Sequence, residues 1–167
     1  MGHVWLIGLM GSGKSTVGQV VADNLGRPFY DTDATVESTA GMPIMEIFEQ
    51  FGEQGFRDRE RSAITEIVTE AAGVVATGGG AVLDPVNVEA MREAGTVVLL
   101  SVEPDVLVGR LAEDGQRPLL LDGIESAIQA IARVRSDLYQ ATADVSVDAS
   151  QPIETVIEEV ETICNAS

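Results

Sequence analysis

The chain has 167 residues, of which 27 are Asp or Glu and 10 are Lys or Arg, so its formal net charge is -17. This length suits one domain, and the 45% of hydrophobic residues can fill a core, which argues against disorder. The acidic excess argues against broad binding to nucleic acid or to anionic membranes, because both need a basic face. Nine of the ten basic residues are Arg, and Lys14 is the only lysine.

The single cysteine and the single histidine argue against a disulfide-stabilised or zinc-binding protein. Cys164 cannot form an internal disulfide, and His3 is the single histidine, so no Cys/His zinc cluster is expected. The opening sequence MGHVWLIGLM has no basic n-region, and its apolar run soon meets a Gly-rich loop. We therefore expect neither a signal peptide nor a membrane span, and a cytoplasmic protein.

The predicted elements alternate between strands and helices along the chain. In order, we predict a strand at residues 4–7, a helix at 14–25, a strand at 29–33, a largely helical stretch at 43–72, a strand at 73–77, a helix at 85–94, a strand at 96–102, a helix at 104–113, a polar Gly/Pro-containing segment at 114–123, a long helix at 124–138, a strand at 145–147 and a helix at 153–163. This alternation predicts an α/β fold with a parallel sheet covered on both faces. Its strand order stays open, and its ligand sites are expected at the carboxyl ends of the strands.

A phosphate-binding loop follows the first predicted strand. Residues 8–15 read GLMGSGKS and fit the pattern G-x-x-x-x-G-K-[ST]. Its glycines let successive N–H groups point at phosphate oxygens, and the following helix adds its positive dipole end. Lys14 would reach the β- and γ-phosphates, and the Ser15 hydroxyl would ligate Mg²⁺. The alternative is a Gly-rich turn that binds nothing, but the strand before it and the amphipathic helix after it favour a nucleotide site.

The single lysine narrows the class of nucleotide-binding protein. A GTPase needs the lysine of an Asn-Lys-x-Asp motif, and a protein kinase needs a strand lysine besides its own Gly-rich loop. Lys14 is already used by the phosphate loop. The chain is also short for a motor or helicase ATPase. Small kinases that phosphorylate metabolites remain, with a nucleotide-dependent switch protein that has no acceptor as the rival.

Carboxylates for an acceptor follow the second predicted strand. Asp31 and Asp33 are two residues apart, so in an extended segment both side chains lie on one side. One could support Mg²⁺ through water, and the other could accept a proton from, or orient, the acceptor hydroxyl. The alternative is a polar strand end with a helix cap.

Arginines, glycines and aromatic residues supply further candidates. In a helix Arg57 and Arg61 lie on one face and Arg57 meets Glu60, an arrangement suited to a carboxylate ligand or to a solvated, internally paired face. Gly78–Gly80 permits a ligand to approach the backbone closely, or is a plain turn. Phe48 and Phe56 could wall a small ring, although helical spacing alone favours core packing.

Two later arginines complete the candidate set. Arg117 lies in the polar segment 114–123, where a loop arginine could close over ATP and stabilise the transferring charge, or could be a surface residue. Arg135 lies four residues before Tyr139 on the long predicted helix.

Taken together, these features resemble the shikimate kinase family. The match is an ordered series over about residues 4 to 140: the phosphate loop, Asp31-Thr32-Asp33, Phe56-Arg57-Asp58-Arg59-Glu60, Gly78-Gly79-Gly80, Arg117-Pro118-Leu119, and Arg135 with Leu138-Tyr139. The resemblance implies a P-loop kinase fold like that of nucleoside monophosphate kinases, with a five-stranded parallel sheet in one domain. It also implies a substrate-binding subdomain near residues 32–60 and a lid near residues 111–123.

The resemblance further implies the activity and its ligands. The family transfers the γ-phosphoryl group of ATP to the 3-hydroxyl of shikimate, with Mg²⁺, in the synthesis of chorismate and aromatic amino acids. We expect a monomer with shikimate and ATP as its ligands and no nucleic-acid or membrane partner.

Site roles are implied residue by residue. Asp33, Lys14 and Arg117 would be catalytic, and Ser15 with Asp31, the latter through water, would hold Mg²⁺. ATP would contact the following residues: Gly11, Ser12, Gly13, Lys14, Ser15, Thr16, Arg110, Arg117 and Gln151. Shikimate would be bound, directly or through supporting contacts, by the following residues: Asp33, Phe48, Phe56, Arg57, Glu60, Gly79, Gly80 and Arg135.

One departure from the family pattern affects Arg135. The family usually reads R-x-P-L-Y, whereas this chain reads Arg135-Ser136-Asp137-Leu138-Tyr139. Losing the proline removes a backbone restraint, and an ion pair from Asp137 to Arg135 would weaken the hold of Arg135 on substrate.

Overall fold

The computed structural model describes residues 2–113 and 121–166. Five strands were found there: β1 (His3–Ile7), β2 (Phe29–Asp31), β3 (Val74–Ala76), β4 (Gly95–Ser101) and β5 (Val145–Asp148). The α-helices are α1 (Lys14–Leu25), α2 (Thr32–Ala40), α3 (Ile44–Val68), α4 (Pro85–Ala94), α5 (Pro104–Glu113), α6 (Leu121–Thr142) and α7 (Ile153–Ala166), and a short 3₁₀ helix spans Ala81–Leu83.

The strands form one parallel sheet in the order β2-β3-β1-β4-β5. β1 is central, with Trp5 opposite Val75 of β3 and Val97 of β4. Every residue of β1 is buried, as expected for a strand covered by helices on both faces. The predicted five-stranded α/β architecture is confirmed, and the strand order, which local patterns leave open, is now defined.

Two apolar clusters hold the fold together. The larger surrounds the sheet and contains the fully buried Trp5 and Leu6 of β1. The smaller lies between α2 and α3 and consists of Val36, Ile47, Phe56 and Ala63. Within the described residues, no helix is long and apolar enough to cross a membrane.

The loop between β1 and α1 needs glycine at two positions. Gly13 caps α1 in the left-handed conformation, with φ 96°. Gly8 has φ 142°, and a Cβ there would lie 2.6 Å from the Leu100 carbonyl oxygen. Both constraints fix the sharp turn that brings the chain from the end of β1 into the first turn of α1.

The predicted extended segment at Asp31–Asp33 is wrong. β2 ends at Asp31, and α2 begins at Thr32, so Asp33 lies in the first turn of a helix. The Asp31 side chain caps this helix by accepting hydrogen bonds from the N–H groups of Asp33, at 3.0 Å, and Ala34, at 3.2 Å. Capping thus decides the local backbone, since a carboxylate satisfies N–H groups that the first helical turn leaves without partners.

α3 carries the predicted Arg57–Glu60 run but is not one straight helix. Gly52 interrupts it with φ 67° and ψ -174°. The second part of α3 presents Glu60, which is fully buried, toward the turn after β3.

Candidate active site

The phosphate loop, Gly8–Ser15, contains a buried lysine. The Lys14 ammonium donates to the carbonyls of Gly8, at 2.9 Å, and Leu9, at 2.8 Å. Burial lowers the pKa of Lys14 to about 8, and the nearby charges of Asp33 and Asp31 oppose part of that shift. These contacts hold the cation beside the loop N–H groups, where a phosphate chain would bind.

Ser15 and Asp31 join the phosphate loop to the end of β2. The Ser15 hydroxyl donates to Oδ2 of Asp31 at 2.7 Å. No group of three or more His, Cys, Asp or Glu side chains suited to a metal ion occurs in the described part of the chain. Two oxygen donors beside a phosphate site nevertheless fit Mg²⁺, which keeps several waters and takes its other ligands from phosphates.

Two cavities flank the phosphate loop. One, of about 310 Å³, has these lining residues: Gly11, Ser12, Gly13, Thr16, Val17, Arg110, Ala149, Gln151, Ile153 and Val156. The other, of about 320 Å³, has these: Met10, Gly11, Gly13, Lys14, Ser15, Thr16, Asp31, Asp33, Thr77 and Gly79. The structure thus brings Arg110 and Gln151 to one side of the loop and Asp31 and Asp33 to the other.

Asp33 faces the second cavity from the first turn of α2. Its neighbour Thr32 is buried and accepts a hydrogen bond from the Gly78 N–H at 2.9 Å, which fixes α2 against the turn after β3. Within the described residues, the buried Oδ1 of Asp33 has no hydrogen-bond partner. Burial, together with the charge of Asp31, raises the pKa of Asp33. A carboxylate so placed can accept a proton from a ligand.

Glu60 meets Asp33 over Gly78. A Cβ on Gly78 would lie 2.7 Å from Oδ1 of Asp33 and 2.8 Å from Oε1 of Glu60, so only glycine leaves room between them. Oε1 of Glu60 also has no partner within the described chain, and burial raises the pKa of Glu60. Two buried carboxyl oxygens, neither with a hydrogen-bond partner among the described residues, therefore lie against the same glycine.

Two arginines lie beside the turn at Gly78–Gly80. Nη1 of Arg57 lies 2.7 Å from Oε2 of Glu60, so the predicted contact between them is present. A Cβ on Gly80 would lie 2.4 Å from both Nη atoms of Arg57, and one on Gly79 would lie 3.6 Å from Nη1 of Arg135. The turn at Gly78–Gly80 therefore lies directly under two guanidinium groups, a pair suited to a carboxylate.

The two phenylalanines differ in burial. Phe56 is buried in the smaller cluster, whereas Phe48 is 40% exposed. Their rings stack with centroids 4.8 Å apart, and the Arg57 guanidinium lies 5.2 Å from the centre of the Phe56 ring. Core packing, the expectation from spacing alone, therefore holds for Phe56 and not for Phe48.

The comparisons with known proteins identify the family of this chain. The family model for shikimate kinase matches residues 10–164. The chain belongs to the shikimate kinase family. The shikimate kinase of Moorella thermoacetica is 46% identical over 147 residues, which cover 88% of this chain and 84% of that protein. The shikimate kinase of Geobacter sulfurreducens is 44% identical over 162 residues, covering 96% and 89%.

Solved structures agree with the sequence relatives. The shikimate kinase from Acinetobacter baumannii in complex with shikimate is 34% identical, with a TM-score of 0.88 and coverage of 100% of this chain and 95% of that one. A gluconokinase from Sinorhizobium meliloti, 23% identical with a TM-score of 0.63, covers 96% of this chain and 90% of its own and shares the fold. The P-loop kinase fold expected for the family is therefore confirmed.

Some predicted residues of this kinase lie away from the site, and others fall outside the described residues. Arg117 and most of the predicted lid at residues 111–123 fall outside the described residues. Arg61, which shares a helical face with Arg57 in sequence, pairs instead with Asp84 at 2.6 Å. Among the described side chains, no ion pair joins Arg135 to Asp137.

Sequence reasoning missed two residues that shape the site. Thr32 supports the Gly78 N–H, and Tyr139 donates from its hydroxyl to the Gly79 carbonyl. The four-residue spacing from Arg135 to Tyr139 was visible, because such residues share a helical face. The partner of the hydroxyl, 60 residues away in sequence, was not.

Proposed function

We propose that this member of the shikimate kinase family transfers the γ-phosphoryl group of ATP to the 3-hydroxyl of shikimate, giving shikimate 3-phosphate and ADP. The reaction belongs to the synthesis of chorismate and aromatic amino acids. The observation that carries the proposal is the convergence of Asp33, Glu60, Arg57 and Arg135 on the Gly78–Gly80 turn, next to Lys14. A nucleotide switch without an acceptor would need no such set.

The acceptor is held by opposite charges at its two ends. Arg57 and Arg135 bind the carboxylate of shikimate, since guanidinium groups can bond both of its oxygens. Glu60 keeps Arg57 in place through its 2.7 Å contact. Gly79 and Gly80 contact the ligand because they carry no side chains, and the exposed Phe48, which stacks on the buried Phe56, borders the ring.

Asp33 is the base of the reaction. It accepts the proton of the 3-hydroxyl while that oxygen bonds to the γ-phosphorus and the bond from phosphorus to the ADP oxygen breaks. Burial beside Asp31 favours this role, because a raised pKa makes the carboxylate a better proton acceptor. Lys14 and Arg117 bind the oxygens of the transferring group and stabilise its charge.

ATP occupies both sides of the phosphate loop. Gly11, Ser12, Gly13 and Thr16 bind its phosphates through backbone N–H groups and hydroxyls, and Arg110 with Gln151 lies near the adenine. Ser15 and Asp31, the latter through water, would hold Mg²⁺, which when bound neutralises phosphate charge. Their 2.7 Å contact supports this pairing.

The larger organisation is also part of the proposal. We expect one kinase domain with a substrate-binding subdomain near residues 32–60 and a lid near residues 111–123. We also expect a monomer in the cytoplasm. Light scattering during size-exclusion chromatography tests the oligomeric state.

A coupled ADP-release assay tests the function. Purified protein with Mg²⁺ and ATP is offered shikimate, gluconate or a nucleoside monophosphate, each at the same concentration. ADP release that depends on shikimate alone is expected. Release with gluconate or the nucleotide, and none with shikimate, would reject the proposal in favour of another small-molecule kinase, and ATP binding without any turnover would favour the switch.

A further inference from the structure

Tyr139 links two parts of the acceptor site that come from different elements. It lies near the end of α6, is 4% exposed, and donates from its hydroxyl to the carbonyl of Gly79 at 2.5 Å. Arg135 lies one helical turn earlier on the same face of α6, and its charge opposes the burial that raises the pKa of the Tyr139 hydroxyl. The phenol hydrogen is therefore given to the turn, and the guanidinium of Arg135 lies over the same glycine.

The surroundings leave the arginine few other supports. A Cβ on Gly79 would lie 3.6 Å from Nη1 of Arg135, so the guanidinium lies over the residue that Tyr139 holds. Arg57 has carboxylate partners in Glu60, at 2.7 Å, and Glu53, at 3.6 Å. Within the described residues, Arg135 has no ion pair of that kind.

We propose that Tyr139 is a positioning residue for the acceptor: its hydroxyl fixes Arg135 over the Gly79 carbonyl in the orientation that receives the shikimate carboxylate. The inference rests on the proposed function of Arg135. Holding a flexible side chain before the ligand arrives removes an ordering cost from binding.

The test is Tyr139→Phe, which keeps the ring in the core and removes only the hydroxyl. We expect the KM for shikimate to rise about tenfold, the loss expected for one hydrogen bond that orders a charged group. The KM for ATP should change by less than about twofold, since Lys14 and the phosphate loop are untouched. Tyr30→Phe is the matched control, because its hydroxyl also donates to a backbone carbonyl, that of Ala71, but away from the site. It should leave both KM values unchanged.

A double-mutant cycle separates this inference from the proposed function. If Tyr139 acts through Arg135, adding Tyr139→Phe to Arg135→Ala should raise the KM for shikimate by less than about threefold beyond the single change. A full additive effect, an equal rise in both KM values, or an unchanged KM for shikimate in Tyr139→Phe would overturn the inference. If Arg135→Ala itself leaves that KM unchanged, the proposed carboxylate role of Arg135 fails, and the inference fails with it.

Discussion

Replacing Gly80 with alanine should displace Arg57 without disturbing the backbone. Gly80 has φ -100° and ψ 1°, a conformation that alanine can adopt. Its new Cβ would lie 2.4 Å from both Nη atoms of Arg57 and 2.7 Å from Cζ. The guanidinium must therefore move by roughly 1 Å to restore ordinary carbon–nitrogen contact. That movement disturbs both the contact with Glu60 and the proposed contact with the acceptor carboxylate.

The expected rise in the KM for shikimate follows from the kind of contact that is lost. A hydrogen bond to a charged group contributes about 1.5–3 kcal/mol, so the KM for shikimate should rise about 10- to 100-fold in Gly80→Ala. The KM for ATP should be nearly unchanged. Steady-state kinetics with each substrate varied in turn measures both values, and thermal unfolding checks that the variant is folded.

Gly109→Ala provides the control for this experiment. Among the described residues, no atom outside the immediate helix backbone lies within 4 Å of a Cβ at Gly109, so the kinetics of this variant should match those of the unchanged protein. An unchanged KM for shikimate in a folded Gly80→Ala protein would refute the reasoning. It would mean that the carboxylate is not held by Arg57 at this turn.

Three further changes test the charges of the site and the core. Asp33→Asn should reduce turnover by more than about 100-fold while ATP still binds, because the base is lost and the phosphate loop is kept. ATP affinity, followed by calorimetry, should weaken about tenfold between pH 7 and pH 9, since the pKa of Lys14 is about 8 and its cation is needed. Burial and the charge of Arg27 lower the pKa of His3, so the free energy of unfolding relative to His3→Gln should fall as pH drops below about 6.5.

Each of these three predictions has a result that would contradict it. Turnover that survives in Asp33→Asn would assign the base to another group. ATP affinity that is constant between pH 7 and pH 9 would show that Lys14 stays protonated there. Protonation of His3 is disfavoured in the folded state, so stability is lost as the unfolded state takes up its proton. If the free energy of unfolding of the protein, minus that of His3→Gln, stays constant or rises on acidification, the direction given for the pKa of His3 is wrong.

Local sequence was sufficient for most of the elements, with α2 as an exception, and for the phosphate loop. The strands around Trp5 and Val98 are continuous apolar runs, and such runs predict a sheet buried on both faces. Lys14 donates to the carbonyl of Gly8 within the same loop, so the spacing of the two residues in sequence is enough to predict that they lie close together.

Contacts distant in sequence could not be predicted in the same way. The alternation of side chains along an extended chain predicted that Asp31 and Asp33 lie on one face. In the structure Asp31 caps α2, and Asp33 lies in the first turn of that helix. The helix signal was present, since aspartate is a preferred N-cap residue. The meeting of Glu60 with Asp33 over Gly78 depends on how α3 packs against β3, and no local pattern encodes that packing.

The most direct test of the account is to identify the product. Incubating the protein with Mg²⁺, ATP and shikimate, and following the mixture by phosphorus and proton NMR, reports which oxygen receives the phosphoryl group. The account predicts one product, phosphorylated at the 3-hydroxyl, formed in equal amount with ADP, because Asp33 and the two arginines fix the ring in a single orientation beside Lys14. Phosphorylation at another hydroxyl, or ADP released together with free phosphate and no phosphorylated shikimate, would contradict it.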